Sequence, residues 1–284
     1  MSKTQLLPST MGRVALSVAD LGRSLTYYQQ GIGLQLHRRQ NGTAYLGAGS
    51  EDLLVLQEKP GARHQRRASG LYHFALLLPS RRELARTLQH LQASGTAIGG
   101  ASDHAVSEAL YLTDPDGHGI EIYRDRPRDE WEFPKNTLKM TVDPFDVAGV
   151  MTALEDAEAD WTGLDPETIM GHVHLHVSQM PASEHFYGGL LGFGMMARYG
   201  QQASFLSYNG YHHHLGVNTW AGVGVPPAAT EAARLEWYEI RVRETAVFDQ
   251  IRHNLDQASY PYHEQDGYLA LQDPSGNKIR LMQL

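Results

Sequence analysis

Leu110-Tyr-Leu-Thr-Asp-Pro-Asp-Gly-His-Gly-Ile-Glu-Ile-Tyr123 reads as a strand, a tight Asp-Pro-Asp-Gly turn and a second strand. The second strand carries one carboxylate, Glu121, between apolar Ile120 and Ile122. Without further context that acid would face solvent opposite an apolar face. The same frame recurs near the C-terminus as Leu271-Gln-Asp-Pro-Ser-Gly-Asn-Lys-Ile-Arg-Leu-Met282, where the position four after the turn glycine is Arg280. The repeat keeps the scaffold and changes the chemistry at one place.

Working outward, one order of elements appears four times. Alternation of Val14, Leu16 and Val18 marks a strand from Arg13, followed by a helix capped by Asp20 and closed by Gly31 and Gly33. Strands follow at 34–39, 43–46 and 53–57. The second copy places a strand at 71–78, a helix at 82–94 stopped by Gly95, and strands near 96–98, 109–113 and 119–123. The third places a strand at 172–177, a helix at 181–191 closed by Gly192, and strands at 194–199, 203–208 and 213–218. The fourth places a strand at 235–242, a helix at 245–257, and strands at 260–263, 268–272 and 278–282. Four βαβββ units of roughly fifty residues each form an internal repeat. The segment 124–170 is charged at first and helix-like from Pro144 to Asp160. It divides the chain into a first domain at 11–126, a connecting segment at 127–168 and a second domain at 169–284. A shorter linker with Pro226 and Pro227 joins copies three and four.

The 284 residues, 42% of them hydrophobic, suffice for a packed core. A net charge of -8 argues against a nucleic-acid surface, and the run Arg63-His-Gln-Arg-Arg67 reads as a solvated loop. Cysteine is absent, which excludes disulfides, thiolate metal sites and cysteine nucleophiles. No apolar stretch has signal-peptide or membrane-spanning length, so the expectation is a cytoplasmic protein without nucleic-acid or membrane partners, with homo-oligomerisation left open.

Arg13-Val-Ala-Leu-Ser-Val-Ala-Asp-Leu, Gly171-His-Val-His-Leu-His-Val-Ser, His185-Phe-Tyr-Gly-Gly-Leu-Leu-Gly-Phe and Asp114-Pro-Asp-Gly-His-Gly-Ile-Glu, set in the βαβββ repeat, resemble the vicinal oxygen chelate superfamily of glyoxalases, bleomycin resistance proteins and extradiol dioxygenases. The segments from Ser102 to Gly117 and from Gly210 to Trp220 look like its bacterial catechol-2,3-dioxygenase-like members. The resemblance implies an α+β fold in which repeat units pair into two cups of curved sheet. It also implies metal ligands on the first strand of each unit and on the last strand after the Asp-Pro-x-Gly turn.

The first-strand position holds Arg13, His73, His172 and Trp237 in the four copies. The last-strand position holds Leu53, Glu121, His213 or His214, and Arg280. Pairing copy one with two and three with four gives neither cup three ligands. Pairing two with three brings His73, His172 and Glu121 together and leaves Arg13, Trp237 and Arg280 in a cup without metal. Two imidazoles and one carboxylate suit non-haem Fe(II), with Mn(II) the next choice, and no organic cofactor is implied.

His172, His174 and His176 alternate with Val173, Leu175 and Val177 and share one strand face, so His174 and His176 are candidates for orienting ligand or substrate. The family pattern makes Tyr111 a neighbour of substrate and dioxygen, and His104 lies near the place of a substrate-binding histidine. The run His212-His-His214 falls where the family keeps an acid/base histidine. Alternation puts His213 on one face and its two neighbours on the other, and both His213 and His214 remain candidates.

The function implied is aromatic compound degradation by an Fe(II)-dependent extradiol dioxygenase, with a catechol and O2 as its small-molecule partners. The rivals are a glyoxalase-like metal-dependent isomerase or lyase, and a non-enzymatic small-molecule-binding resistance protein of the same fold.

Overall fold

The computed structural model describes residues 9–154, 161–265 and 267–284. The first unit comprises β1 (Ser9–Val18), α1 (Leu21–Thr26), β2 (Gln35–Gln40), β3 (Thr43–Gly47) and β4 (Leu54–Glu58). The second comprises β5 (Gly70–Leu78), α2 (Arg81–Ser94), β6 (Gly100–Asp103), β7 (Ser107–Thr113) and β8 (Gly119–Asp125). A connecting segment with β9 (Asp143–Pro144) and α3 (Val147–Met151) leads to the third unit: β10 (Ile169–His176), α4 (Met180–Glu184), β11 (Gly194–Tyr199), β12 (Ala203–Ser207) and β13 (Leu215–Asn218). The fourth comprises β14 (Leu235–Val242), α5 (Thr245–Gln257), β15 (Tyr262–Gln265), β16 (Tyr268–Gln272) and β17 (Lys278–Gln283). No helix among the described residues is long and apolar enough to cross a membrane.

Two curved sheets result, in the orders β15-β16-β17-β14-β1-β4-β3-β2 and β11-β12-β13-β10-β5-β8-β7-β6-β9. Unit one thus pairs with unit four through antiparallel β1 and β14, and unit two with unit three through antiparallel β5 and β10. Period-2 alternation then divides every central strand. Val14 and Leu16, Phe74 and Leu76, Ile120 and Ile122, and Val173 and Leu175 enter one core shared by both sheets. Their neighbours in sequence face the concave side of a cup.

The Asp-Pro-x-Gly turns also tie the units of each half together. Asp114 Oδ1 accepts from the backbone N of Asp116 and His118 at 2.9 and 2.8 Å, and its Oδ2 accepts from the Tyr28 hydroxyl at 2.8 Å. Asp273 repeats this with Ser275, Asn277 and the Tyr187 hydroxyl at 2.8, 2.9 and 2.9 Å. Turn geometry and the docking of the π-helical turn that continues the preceding unit's helix, Tyr27–Ile32 or His185–Leu190, therefore draw on one carboxylate in each half.

Several expectations need correction. Residues 96–98 form no strand: Thr96 N donates to Leu91 O and completes the α2 C-cap, so pairing begins only at Gly100. The third helix is α-helical only to Glu184 and continues as a π-turn over His185–Leu190. Strand β13 starts at Leu215, not at residue 213, although the His214 backbone already bonds to its neighbours, its N to Leu206 O and its O to Val173 N. The helix expected over 144–160 is confined to Val147–Met151, and its part at 155–160 lies outside the described residues.

Gly119 shows how tightly the second cup-forming pair is drawn together, since a Cβ there would lie 2.1 Å from the Tyr72 carbonyl oxygen in β5. Backbone cannot yield as a flexible side chain can. Gly119→Ala should destabilise the protein by about 2 kcal/mol or more, an overpacking cost read from the urea midpoint. An unchanged midpoint would mean that β5 and β8 are looser than their register implies.

Candidate metal centre and substrate cavity

β5 lies between β10 and β8, so its small residue Ala75 has His172 opposite on one side and Glu121 on the other. His73, two residues earlier on the same face, reaches the gap above Ala75. Glu121 Oε2 lies 3.0 Å from His73 Nε2 and 3.1 Å from His172 Nε2, and the two nitrogens are 3.3 Å apart. All three side chains are buried. Among the described residues this is the one cluster of His, Asp and Glu with metal-holding spacing.

The spacing tests the fit of a metal. Bonds of about 2.1 Å at right angles place neighbouring ligand atoms about 3.0 Å apart, so the three atoms match one face of an octahedron. Burial opposes ionisation of Glu121, but charge and hydrogen bonds from His172 and His73 prevail and hold its carboxyl well below the usual carboxylate range. Burial pushes His172 down to about 4, against the opposing pull of Glu121. The carboxylate and that imidazole are therefore in their ligating forms at neutral pH.

A cavity of about 690 Å³ opens over this cluster and is lined by His73, Glu121, Tyr111, His104, His174 and His213 among others. His104 Nδ1 lies 2.6 Å from the Thr141 carbonyl oxygen, which can only accept. In neutral His104 the other nitrogen, Nε2, is then the acceptor, and the Tyr111 hydroxyl at 2.6 Å donates to it. Burial, reinforced by the Glu121 charge, raises the Tyr111 pKa, so the group stays a phenol.

The three consecutive histidines part company. His212 Nε2 donates to Asp125 Oδ1 at 2.9 Å, and its Nδ1 lies 2.8 Å from His213 Nδ1. With both imidazoles neutral, His213 Nδ1 carries the hydrogen and its Nε2 keeps a free lone pair. His213 stands 4.1 Å from His172, ring centre to ring centre. His214 is turned elsewhere: its Nδ1 accepts from the Tyr208 backbone N at 3.2 Å and its ring packs on Tyr211. It does not line the cavity.

His174 lines the cavity with its Nε2 buried and without a hydrogen-bond partner among the described residues. Its ring fits because residue 216 is glycine, where a Cβ would stand 2.6 Å from His174 Cγ. His176 lies farther out, hydrogen-bonded to Asn218 Oδ1 at 2.7 Å, and lines a mouth of about 360 Å³ shared with Tyr72 and His73.

Sequence reading passed over Asp125, Thr141, Tyr72 and Trp220, all of which shape this site. Asp125 was hidden in a charged run, yet Glu121, Tyr123 and Asp125 fall on one face by strand alternation, and that signal was available.

A model of the Glyoxalase/Bleomycin resistance protein/Dioxygenase superfamily matches residues 10–122. The catechol-2,3-dioxygenase of Bacillus subtilis (strain 168) is 41% identical over 269 residues, 93% of this chain and 93% of that protein. The chain belongs to this superfamily. Within it the kinship is with the catechol-2,3-dioxygenase-like dioxygenases, a family whose chemistry implies a metal ion. Glutathione transferase FosA of Serratia marcescens is 30% identical over a shorter stretch, 40% of this chain and 79% of that protein. Glyoxalase I from Zea mays superposes with a TM-score of 0.59 at 17% identity, over 97% of this chain and 92% of that one, a likeness of fold. The superfamily architecture, α+β with two curved sheets, is the one described above.

Burial of neutral imidazoles has a consequence for stability. Unfolded histidines take up protons near pH 6.5, whereas burial holds His172 to about 4 and His214 to about 3 and lowers His174 and His213 as well. Between those limits the unfolded chain binds more protons, so stability falls with falling pH. The thermal midpoint of metal-free protein should be level above about pH 7 and drop steadily toward pH 4. A midpoint that rises on acidification would contradict this.

Proposed function

We propose that this superfamily member is an Fe(II)-dependent extradiol dioxygenase, which opens a catechol ring next to its vicinal hydroxyls and inserts both atoms of O2. The observation that carries the reading is the convergence of His73, His172 and Glu121 on one face of a cavity whose other walls carry Tyr111, His104, His174 and His213. Iron held there would supply adjacent coordination places for diol and dioxygen and a path for electron density between them. Mn(II) would suit the same three ligands.

The chain's own groups would handle the protons and the ring. His213 Nε2, with its free lone pair, takes a catechol proton and can return it to the developing product. The Tyr111 hydroxyl donates to His104, so its oxygen is left to accept from a substrate hydroxyl. His174 adds an imidazole to the cavity wall, its Nε2 buried behind the surface. Tyr72 and Trp220 give the outer cavity aromatic walls, which suit a planar ring and shed water from it. A glyoxalase-type isomerase would draw on a second carboxylate where His213 stands, and a binding protein would have no use for three ligand atoms at octahedral spacing.

Protein loaded with Fe(II) without air should take up O2 on addition of catechol and release a yellow ring-fission product. His172→Ala should fail to retain iron and should show no uptake. Failure of protein shown to hold iron to consume O2 with any of a panel of catechols would end this reading. His213→Gln should lower kcat by about a hundredfold while leaving iron content unchanged, the usual size of a lost general base. Retention of full kcat would remove His213 from the proton path.

A further inference from the structure

The other cup, formed by β1, β14, β17 and their neighbours, presents the opposite charge. Register makes Arg280 the counterpart of Glu121: Glu121 stands beside Ala75 on β5, and Arg280 stands beside Glu239 on β14. Trp237, Ala15 and Val55 form the apolar floor of this cup. The Arg280 guanidinium lies 3.6 Å from the Trp237 ring centre and 5.0 Å from that of Tyr268.

Glu239 is the acid closest to hand, and its capacity is taken. It accepts from Arg13 Nε at 2.9 Å, from Arg13 Nη2 at 2.6 Å, from the Arg13 backbone N at 3.0 Å and from Arg241 at 3.4 Å. Among the described residues, every other partly or fully buried arginine pairs with a carboxylate. Arg280 alone has no such partner among the described residues. A half-buried guanidinium stays charged at neutral pH, and one that lines a cavity without a carboxylate beside it is open to an anionic ligand.

A cavity of about 630 Å³ adjoins it, lined by Arg280, Trp237, Tyr260, His263, Tyr268 and Lys278 among others. The acids in its wall are committed elsewhere. Glu236 binds Lys59 at 2.9 Å and Arg234 at 3.0 Å, and Asp273 is turned into its own turn. The open charges are Arg280 and the exposed Lys278, and the aromatic walls are Trp237, Tyr260 and Tyr268. The volume is that of a small-molecule site.

We propose that this second cup binds an aromatic carboxylate, with the carboxylate taken by the edge of the Arg280 guanidinium and the ring packed between the tyrosines. The two cups would then share one scaffold and divide the ligands by charge, a cation with its diol in one and an organic anion in the other.

Benzoate is the probe, titrated calorimetrically into the full metal-loaded chain. One benzoate per chain is expected, with affinity unchanged in His172→Ala and reduced at least about tenfold in Arg280→Gln, which removes a charge-assisted fork. Arg280→Lys is the second variant, should the first fold poorly. It keeps the charge but not the planar fork, and should bind more weakly than the parent. Absence of benzoate binding at millimolar concentration, or binding that survives both Arg280 substitutions, would overturn the proposal. So would loss of binding in His172→Ala, which would place benzoate in the metal cup, and so would sulfate binding as tightly as benzoate, which would mark a site for any anion.

Discussion

The antiparallel pairing of β5 with β10 is the contact on which the rest of the molecule depends. It joins residues from opposite halves of the chain and sets His73 across from His174 and His172 across from Ala75. A slip of one residue would send every imidazole to the core side and every valine and leucine to the cavity. The hydrophobic pattern therefore enforces the register that the site needs. Irregularities between Met170 and His172 and between His174 and Leu175 bend β10 at the stretch that carries its buried histidines. Bulges at such places re-aim side chains without unpairing the strand.

Duplication explains which features are constrained and which are free. Asp114 and Asp273 do the same structural work, closing a turn through two backbone N–H groups and holding a buried tyrosine from the preceding unit. Replacing either by an apolar residue would leave two backbone amides without their acceptor, and in the first half the Tyr28 hydroxyl as well. Four residues past the turn glycine the side chain faces a cup and no scaffold contact depends on it. Glu121 and Arg280 occupy that place with opposite charge. The same reasoning applies to His73 and Trp237, which face their cups from equivalent strands.

Much of this was legible in the sequence, for reasons of period. Strand alternation and the repeated turn fixed the four units, and counting ligands favoured the pairing of units two and three that the sheets display. His73, His172 and Glu121 could be named because each lies on a regular strand, where spacing alone decides the face. The histidines at 212–214 were harder, since they precede β13 in irregular backbone and point where Asp125 and Tyr208 draw them. Residues 96–98 look like a strand by composition, yet Thr96 N is needed by the helix end, and a local hydrogen bond outweighs a short apolar run. In both places the deciding partner is a single polar group that no periodicity reveals.

Two hydrogen-bond chains converge on the cavity from outside it, and both start on groups that sequence reading placed in the charged run and connecting segment. One runs from the Thr141 carbonyl through His104 to Tyr111, the other from Asp125 through His212 to His213. Each outer group can only accept, so each fixes the tautomer of the imidazole beside it and, through that, the polarity of the group facing the cavity. Tyr111 is thereby left with oxygen lone pairs and His213 with a bare nitrogen, the two acceptors a diol requires. The connecting segment is for this reason part of the site. Through Thr141 it sets the proton positions of His104 and Tyr111, while Asp125 at the end of β8 sets those of His212 and His213.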